Sequence, residues 1–159
     1  MLIYNARSMK RAVLFLSVLF AACASSKSNQ PQTKIPEPGI GIEQVVGPRE
    51  LGNPYGSIEV KYNVAVQNNA SIPLTLTRID LESEGVAGGA YSLRRNFYNF
   101  HQEIPPNTIG VVTFWAKAMS WGRGPRETEP VTVRGVAHFD TPAGTTQKLF
   151  IRELSQYGD

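Results

Sequence analysis

Apolar and polar residues alternate with a period of two over much of this chain. Ile58, Val60, Tyr62, Val64 and Val66 take turns with Ser57, Glu59, Lys61, Asn63, Ala65 and Gln67. Successive side chains of a strand point to opposite faces, so the pattern predicts a half-buried strand over 57–67. Asn68-Asn69-Ala70-Ser71 then supplies turn chemistry. The next apolar stretch, 74–81, starts on one phase with Leu74 and Leu76 and ends on the other with Ile79 and Leu81. One extra residue near Thr77 or Arg78, a β-bulge, would bring both pairs to the same face.

Further along, Val111, Val112, Phe114 and Trp115 occupy both phases of 109–118, which predicts a central strand covered on both sides with Trp115 as a large core residue. Val131, Val133, Gly135, Ala137 and Phe139 alternate again, Asp140-Thr141-Pro142-Ala143-Gly144 reads as a hairpin turn, and Leu149, Phe150 and Ile151 close the sheet. Between these segments, the glycines of 84–89 mark a turn and 90–93 a short strand. Residues 94–102, with Phe97, Tyr98 and Phe100, read as a helical turn or an irregular crossover whose rings plug one end of the core, ended by Ile104-Pro105-Pro106-Asn107. Short strands with turns between them and no helical periodicity predict an all-β fold: an immunoglobulin/fibronectin-III-like two-sheet sandwich of about seven strands over 40–159. It lacks the Cys-Trp-Cys signature of antibody domains, because the chain has one cysteine.

That cysteine, Cys23, follows Lys10-Arg11, an apolar run over 12–22, and the small residues Ala21 and Ala22. The run is too short for a permanent membrane-spanning helix, which needs about 20 residues. The order of charge, apolar run, small residues and cysteine resembles the signal and lipobox of a bacterial lipoprotein, with Phe20 where an aliphatic residue is usual. The resemblance implies a signal peptide over 1–22, starting at Met1 or Met9, and diacylglyceryl and further acyl chains on Cys23, which hold it in membrane lipid. Ala24-Ser25 after the cysteine, with no aspartate, implies the outer membrane by the same resemblance. Residues 23–39 are poor in large apolar side chains and read as a flexible tether averaging roughly 20–25 Å.

Charge changes the picture once the signal is set aside. The whole chain has 16 basic and 13 acidic residues. Removing Arg7, Lys10 and Arg11 leaves the rest balanced, so no net field gathers phosphodiesters and a nucleic-acid partner is not expected.

The segment Val64-Ala65-Val66-Gln67-Asn68-Asn69-Ala70-Ser71-Ile72-Pro73-Leu74-Thr75-Leu76, followed by Ile104-Pro105-Pro106-Asn107 and Val133-Arg134-Gly135-Val136-Ala137, resembles the late embryogenesis abundant type 2 domain, or water-stress and hypersensitivity domain. Gln67-Asn68-Asn69 stands where that family has Asn-Pro-Asn. The resemblance implies a β-sandwich and a stress-protective envelope role.

Candidate chemistry is sparse. His101 and His138 are the only histidines, each near a carboxylate in His101-Gln102-Glu103 and His138-Phe139-Asp140; they carry the alternative reading, a metal-dependent hydrolase. The serines lack a nucleophile-elbow context and Gly122-Arg123-Gly124 lacks the lysine of a phosphate loop. No catalytic, cofactor or metal site is expected. The residue types of binding hot spots do occur: Trp121, Arg123 and Arg126 in a long loop between two strands over 119–129, and the aromatic and cationic stretch 94–100. The expectation is therefore a non-enzymatic accessory lipoprotein whose sandwich docks a protein or another envelope component.

Overall fold

The computed structural model describes residues 35–84 and 89–155. Among the described residues there is no helix; eight strands form two antiparallel four-stranded sheets. The strands are β1 (Gly39–Val46), β2 (Tyr55–Gln67), β3 (Leu74–Ser83), β4 (Tyr91–Leu93), β5 (Asn96–Ile104), β6 (Ile109–Trp121), β7 (Val131–Thr141) and β8 (Gly144–Leu154). Sheet A runs β1-β2-β6-β4 and sheet B β5-β3-β7-β8. The two-sheet sandwich expected from the alternation is the fold, with eight strands in place of about seven.

The backbone of sheet A is the pairing of β2 with β6, continuous from Tyr55↔Trp121 to Gln67↔Ile109. All five apolar residues of the β2 pattern lie in the core. Each such aliphatic side chain taken out of water stabilises the fold by about 1.5–3 kcal/mol. The bulge is present: both ladders of β3 shift register between Leu76 and Arg78. Thr77 Oγ1 donates to the carbonyl of His138 at 3.1 Å, which spans the bulge. Beyond it, Ile79 and Leu81 join Leu74 and Leu76 inside, and Arg78 and Asp80 turn outward.

Three expectations are corrected. Residues 96–104 are neither helical nor an irregular crossover but the edge strand β5 of sheet B. Tyr98 and Phe100 pack inward against Phe114, with ring centroids at 4.4 and 5.7 Å, while Phe97 points out and is 55% exposed. The strand β6 is covered on one side only. Val112, Phe114, Ala116 and Ala118 are buried, and Ile109, Val111, Trp115, Met119 and Trp121 lie exposed on the outer face. Trp115, expected in the core, is 49% exposed with the Lys61 ammonium over its ring at 5.7 Å. The central aromatics are instead Tyr62 and Phe114, 5.9 Å apart. Finally, the segment expected to be a tether up to residue 39 is structured at its end. Gly39 opens β1 opposite Gln67, the Glu37 carbonyl accepts from Asn69 Nδ2 at 3.0 Å, and the Glu37 carboxylate pairs with Lys148.

Asn68 fixes the connection between the sheets. It is fully buried, and its Nδ2 donates to the carbonyls of Ile72, Ile104 and Pro105 at 2.9, 3.0 and 3.1 Å, while Oδ1 accepts from the Ala70 amide at 2.9 Å. One side chain thereby satisfies four backbone groups of two loops, a need that buried backbone cannot leave unmet. The second loop reverses β5 into β6 through Asn107, whose φ of 57° is left-handed and well tolerated by asparagine.

Candidate functional site: a cationic groove at the end of β6

The last turn of sheet A brings together two segments that are far apart in sequence. The β6 strand ends at Trp121, where Gly122, at φ 73°, turns the chain and its amide donates to the buried Ser120 Oγ at 3.2 Å. Alternation along β6 puts Lys117, Met119 and Trp121 on one outward row. Beside that row lies β4, which pairs with β6 through Tyr91↔Ser120, Ser92↔Met119 and Leu93↔Ala118. Ser83 Oγ, at the end of β3, accepts from the Leu93 amide at 3.0 Å. This clamp sets where the chain leaves sheet A, and only Arg94 and Arg95 separate β4 from β5 in sheet B.

The result is an open groove of about 390 Å³ lined by Ser57, Ser92, Arg94, Arg95, Asn96, Lys117, Ala118, Met119 and Trp121. Three of these side chains are cationic and none is acidic. Arg94, Arg95 and Lys117 form no ion pair among the described residues. Tyr55 stands opposite Trp121 in register and is 80% exposed. Chemically the groove offers guanidinium and ammonium donors, two hydroxyls, one amide and an indole, a set that binds oxyanions and flat or apolar groups.

The sequence-derived candidates fall as follows. Trp121, expected on a loop, is the last residue of β6 and lines this groove, and Arg94 and Arg95, from the other candidate stretch, line it too; the fold joins what the sequence showed as two separate surfaces. Arg123 and Arg126 are on the loop beyond Gly122, outside the lining. Lys117 and Ser57 were not singled out in the sequence. Their signal was the strand parity they share with Trp121 and Tyr55.

His138 stands on the outer face of sheet B with Arg78 and Asp80. Arg78 grips Asp80 through two hydrogen bonds of 2.5 and 2.7 Å, and His138 Nε2 lies 3.4 Å from Asp80 Oδ2. The Arg78 guanidinium beside Asp80 holds its carboxyl below the usual carboxylate range, with His138 adding to the effect. His101 is exposed on β5. Among the described residues no three His, Cys, Asp or Glu side chains gather as a metal-ligating group. Cys23 and the apolar run before it lie outside the described residues.

No family model matches the sequence, and no curated protein matches it. Solved structures do. The chain is similar to the X-ray structure of a structural-genomics consortium target, with a TM-score of 0.50 at 14% identity over 77% of this chain and 87% of that one. It is also similar to a crystal structure of a protein from Archaeoglobus fulgidus, with a TM-score of 0.47 at 10% identity over 76% and 96%. A Bordetella pertussis protein gives a TM-score of 0.42 at 15% identity over 76% and 94%. At 14% identity the likeness to the first of these is one of fold alone.

Proposed function

We propose that the protein is a non-enzymatic binding module anchored to the bacterial outer membrane through acylated Cys23, and that its sandwich docks an envelope component through the groove around Trp121. The observation that carries the docking part is the convergence of Trp121 with Arg94, Arg95 and Lys117 in one groove with no carboxylate in its lining. Tryptophan and arginine are the side chains most enriched at energetic centres of interfaces, because both combine large contact area with directed hydrogen bonding. The anchor part is supported by the sequence around Cys23, and mass spectrometry of the mature amino terminus tests it.

The docking part is tested by crosslinking in cells followed by affinity purification. Trp121→Ala and Arg95→Ala should each reduce recovery of the captured component, whereas Arg123→Ala, outside the groove, should leave it unchanged. Equal recovery with all three variants would count against the groove.

A further inference from the structure

Resting on that reading of the groove, we infer that the component it docks is the phosphate-bearing surface of an anionic phospholipid bilayer. Guanidinium groups match phosphate oxygens in bidentate fashion, and lysine adds a point charge. Arg94 and Arg95 are adjacent in the chain, both are exposed, and Lys117 lines the same groove from β6. Acidic residues lie outside the lining: Glu59 stands opposite Lys117 in the β2–β6 register without forming an ion pair with it, and Asp80 and Glu82 border a separate, smaller depression that Arg95 also reaches. The cations are therefore available to an incoming anion.

Charge alone would suit any phosphate. The apolar half of the site selects the lipid. Trp121, Met119 and Tyr55 stand together on the outer face of sheet A, and they are 36%, 43% and 80% exposed. Indole and phenol rings with a polar tip settle at the headgroup level of a bilayer, where one end is apolar and the other wet. Aromatic and thioether side chains flanked by cations offer an anionic bilayer surface both charge partners and headgroup-level anchors. Each basic residue close to such a surface raises affinity by about fivefold at physiological salt.

The test uses the full chain reconstituted in vesicles, with Trp115→Phe leaving Trp121 as the single indole, since the chain has two tryptophans. Emission is compared between vesicles containing phosphatidylglycerol and vesicles of phosphatidylcholine alone, with bromine-labelled acyl chains as quenchers. A blue shift and quenching of Trp121 only in the anionic vesicles is expected. Arg94→Ala, Arg95→Ala and Lys117→Ala should each weaken the response about fivefold, and raised salt should weaken it further. Identical Trp121 emission in both vesicles overturns the inference. So does an equal response to soluble glycerol phosphate without vesicles, which would assign the groove to a free phosphate. If mass spectrometry instead finds Cys23 unmodified, the anchor reading fails by itself, and adding vesicles to the unacylated chain still reads the groove.

Discussion

Two buried tyrosines tie the edges of sheet A to its centre, and their hydroxyls allow a sharp test of the packing described above. Tyr62, on β2, and Tyr91, on β4, are fully buried. Their hydroxyls are 2.6 Å apart, and Tyr91 donates to Gln44 Oε1, on β1, at 2.6 Å. Because the Tyr91 proton is committed to Gln44, Tyr62 donates to the Tyr91 oxygen. The relay thus starts at Tyr62 on β2, passes through Tyr91 on the edge strand β4 and ends at Gln44 on the other edge strand, β1.

Its asymmetry sets the magnitudes. Tyr62→Phe removes one donor and leaves Tyr91 bonded to Gln44, so it should cost about 1 kcal/mol, the usual net value of a hydrogen bond. Tyr91→Phe strands the buried Tyr62 hydroxyl and also removes the bond to Gln44 Oε1. An unsatisfied buried group costs about 1–3 kcal/mol, so this variant should lose about 2–3 kcal/mol. In the double variant no hydroxyl remains to be stranded. It should lose about 2 kcal/mol less than the sum of the singles, well outside the roughly 0.5 kcal/mol within which independent sites add. Urea unfolding of the four proteins at equal m-value measures all three quantities. Additive losses, or a Tyr62→Phe cost as large as that of Tyr91→Phe, would refute the assigned donor order.

Other perturbations have equally definite outcomes. Burial raises the folded-state pKa of both Tyr62 and Tyr91 above the usual tyrosine value. The stability that this represents is complete below pH about 10 and is lost as pH rises beyond it, so alkaline unfolding followed by near-ultraviolet circular dichroism should be delayed in the double phenylalanine variant. Asp80 shifts the other way. Its lowered folded pKa gives stability that is present above the unfolded carboxyl value and lost as pH falls through the folded one, so Asp80→Asn should flatten the acid limb of a stability–pH curve. Asn68→Ala, which removes four buried or part-buried hydrogen bonds to backbone groups, should cost about 3 kcal/mol or more by denaturant unfolding. Asn68→Asp, which aims a carboxylate at three carbonyls, should cost still more; the reverse ranking would discredit the loop assignment. Gly135→Ala would place a methyl group within the ring of the buried Phe150 and should destabilise by about 1–3 kcal/mol, with partial recovery on adding Phe150→Leu.

How far the sequence revealed this molecule depended on whether a signal belonged to one strand or to a pair of strands. The β2 alternation, the bulge at Thr77 and the hairpin at Pro142-Ala143 are local, and each stands where its residues put it. β1 has two glycines and a single charged residue, Glu43, in its outer row, so its place was fixed by pairing with β2 and its own pattern was too weak to announce it. β5 was hidden because consecutive Phe97 and Tyr98 filled both phases, and only its lateral pairing with β3 decides which ring goes inside.

β6 is the instructive failure. Its apolar residues occupy both phases, which suggested cover on both faces, yet Thr113 and Lys117 share a phase with Trp115 and Trp121. A lysine within a strand row is a stronger sign of water than a tryptophan is of burial, since an unpaired ammonium is almost never enclosed whereas an indole is often half exposed. Weighing that row by its most polar member would have placed Trp121 and Lys117 together on an open face. Arg94 and Arg95 could not have been added in the same way. Their arrival beside Trp121 depends on β4 pairing with the far end of β6 across some 25 residues of chain, a contact that is written in the topology and in no local pattern. The groove is thus a property of how the sheets are joined, and this is why the Arg94 and Arg95 variants, more than any substitution in the loop beyond Gly122, decide whether it binds.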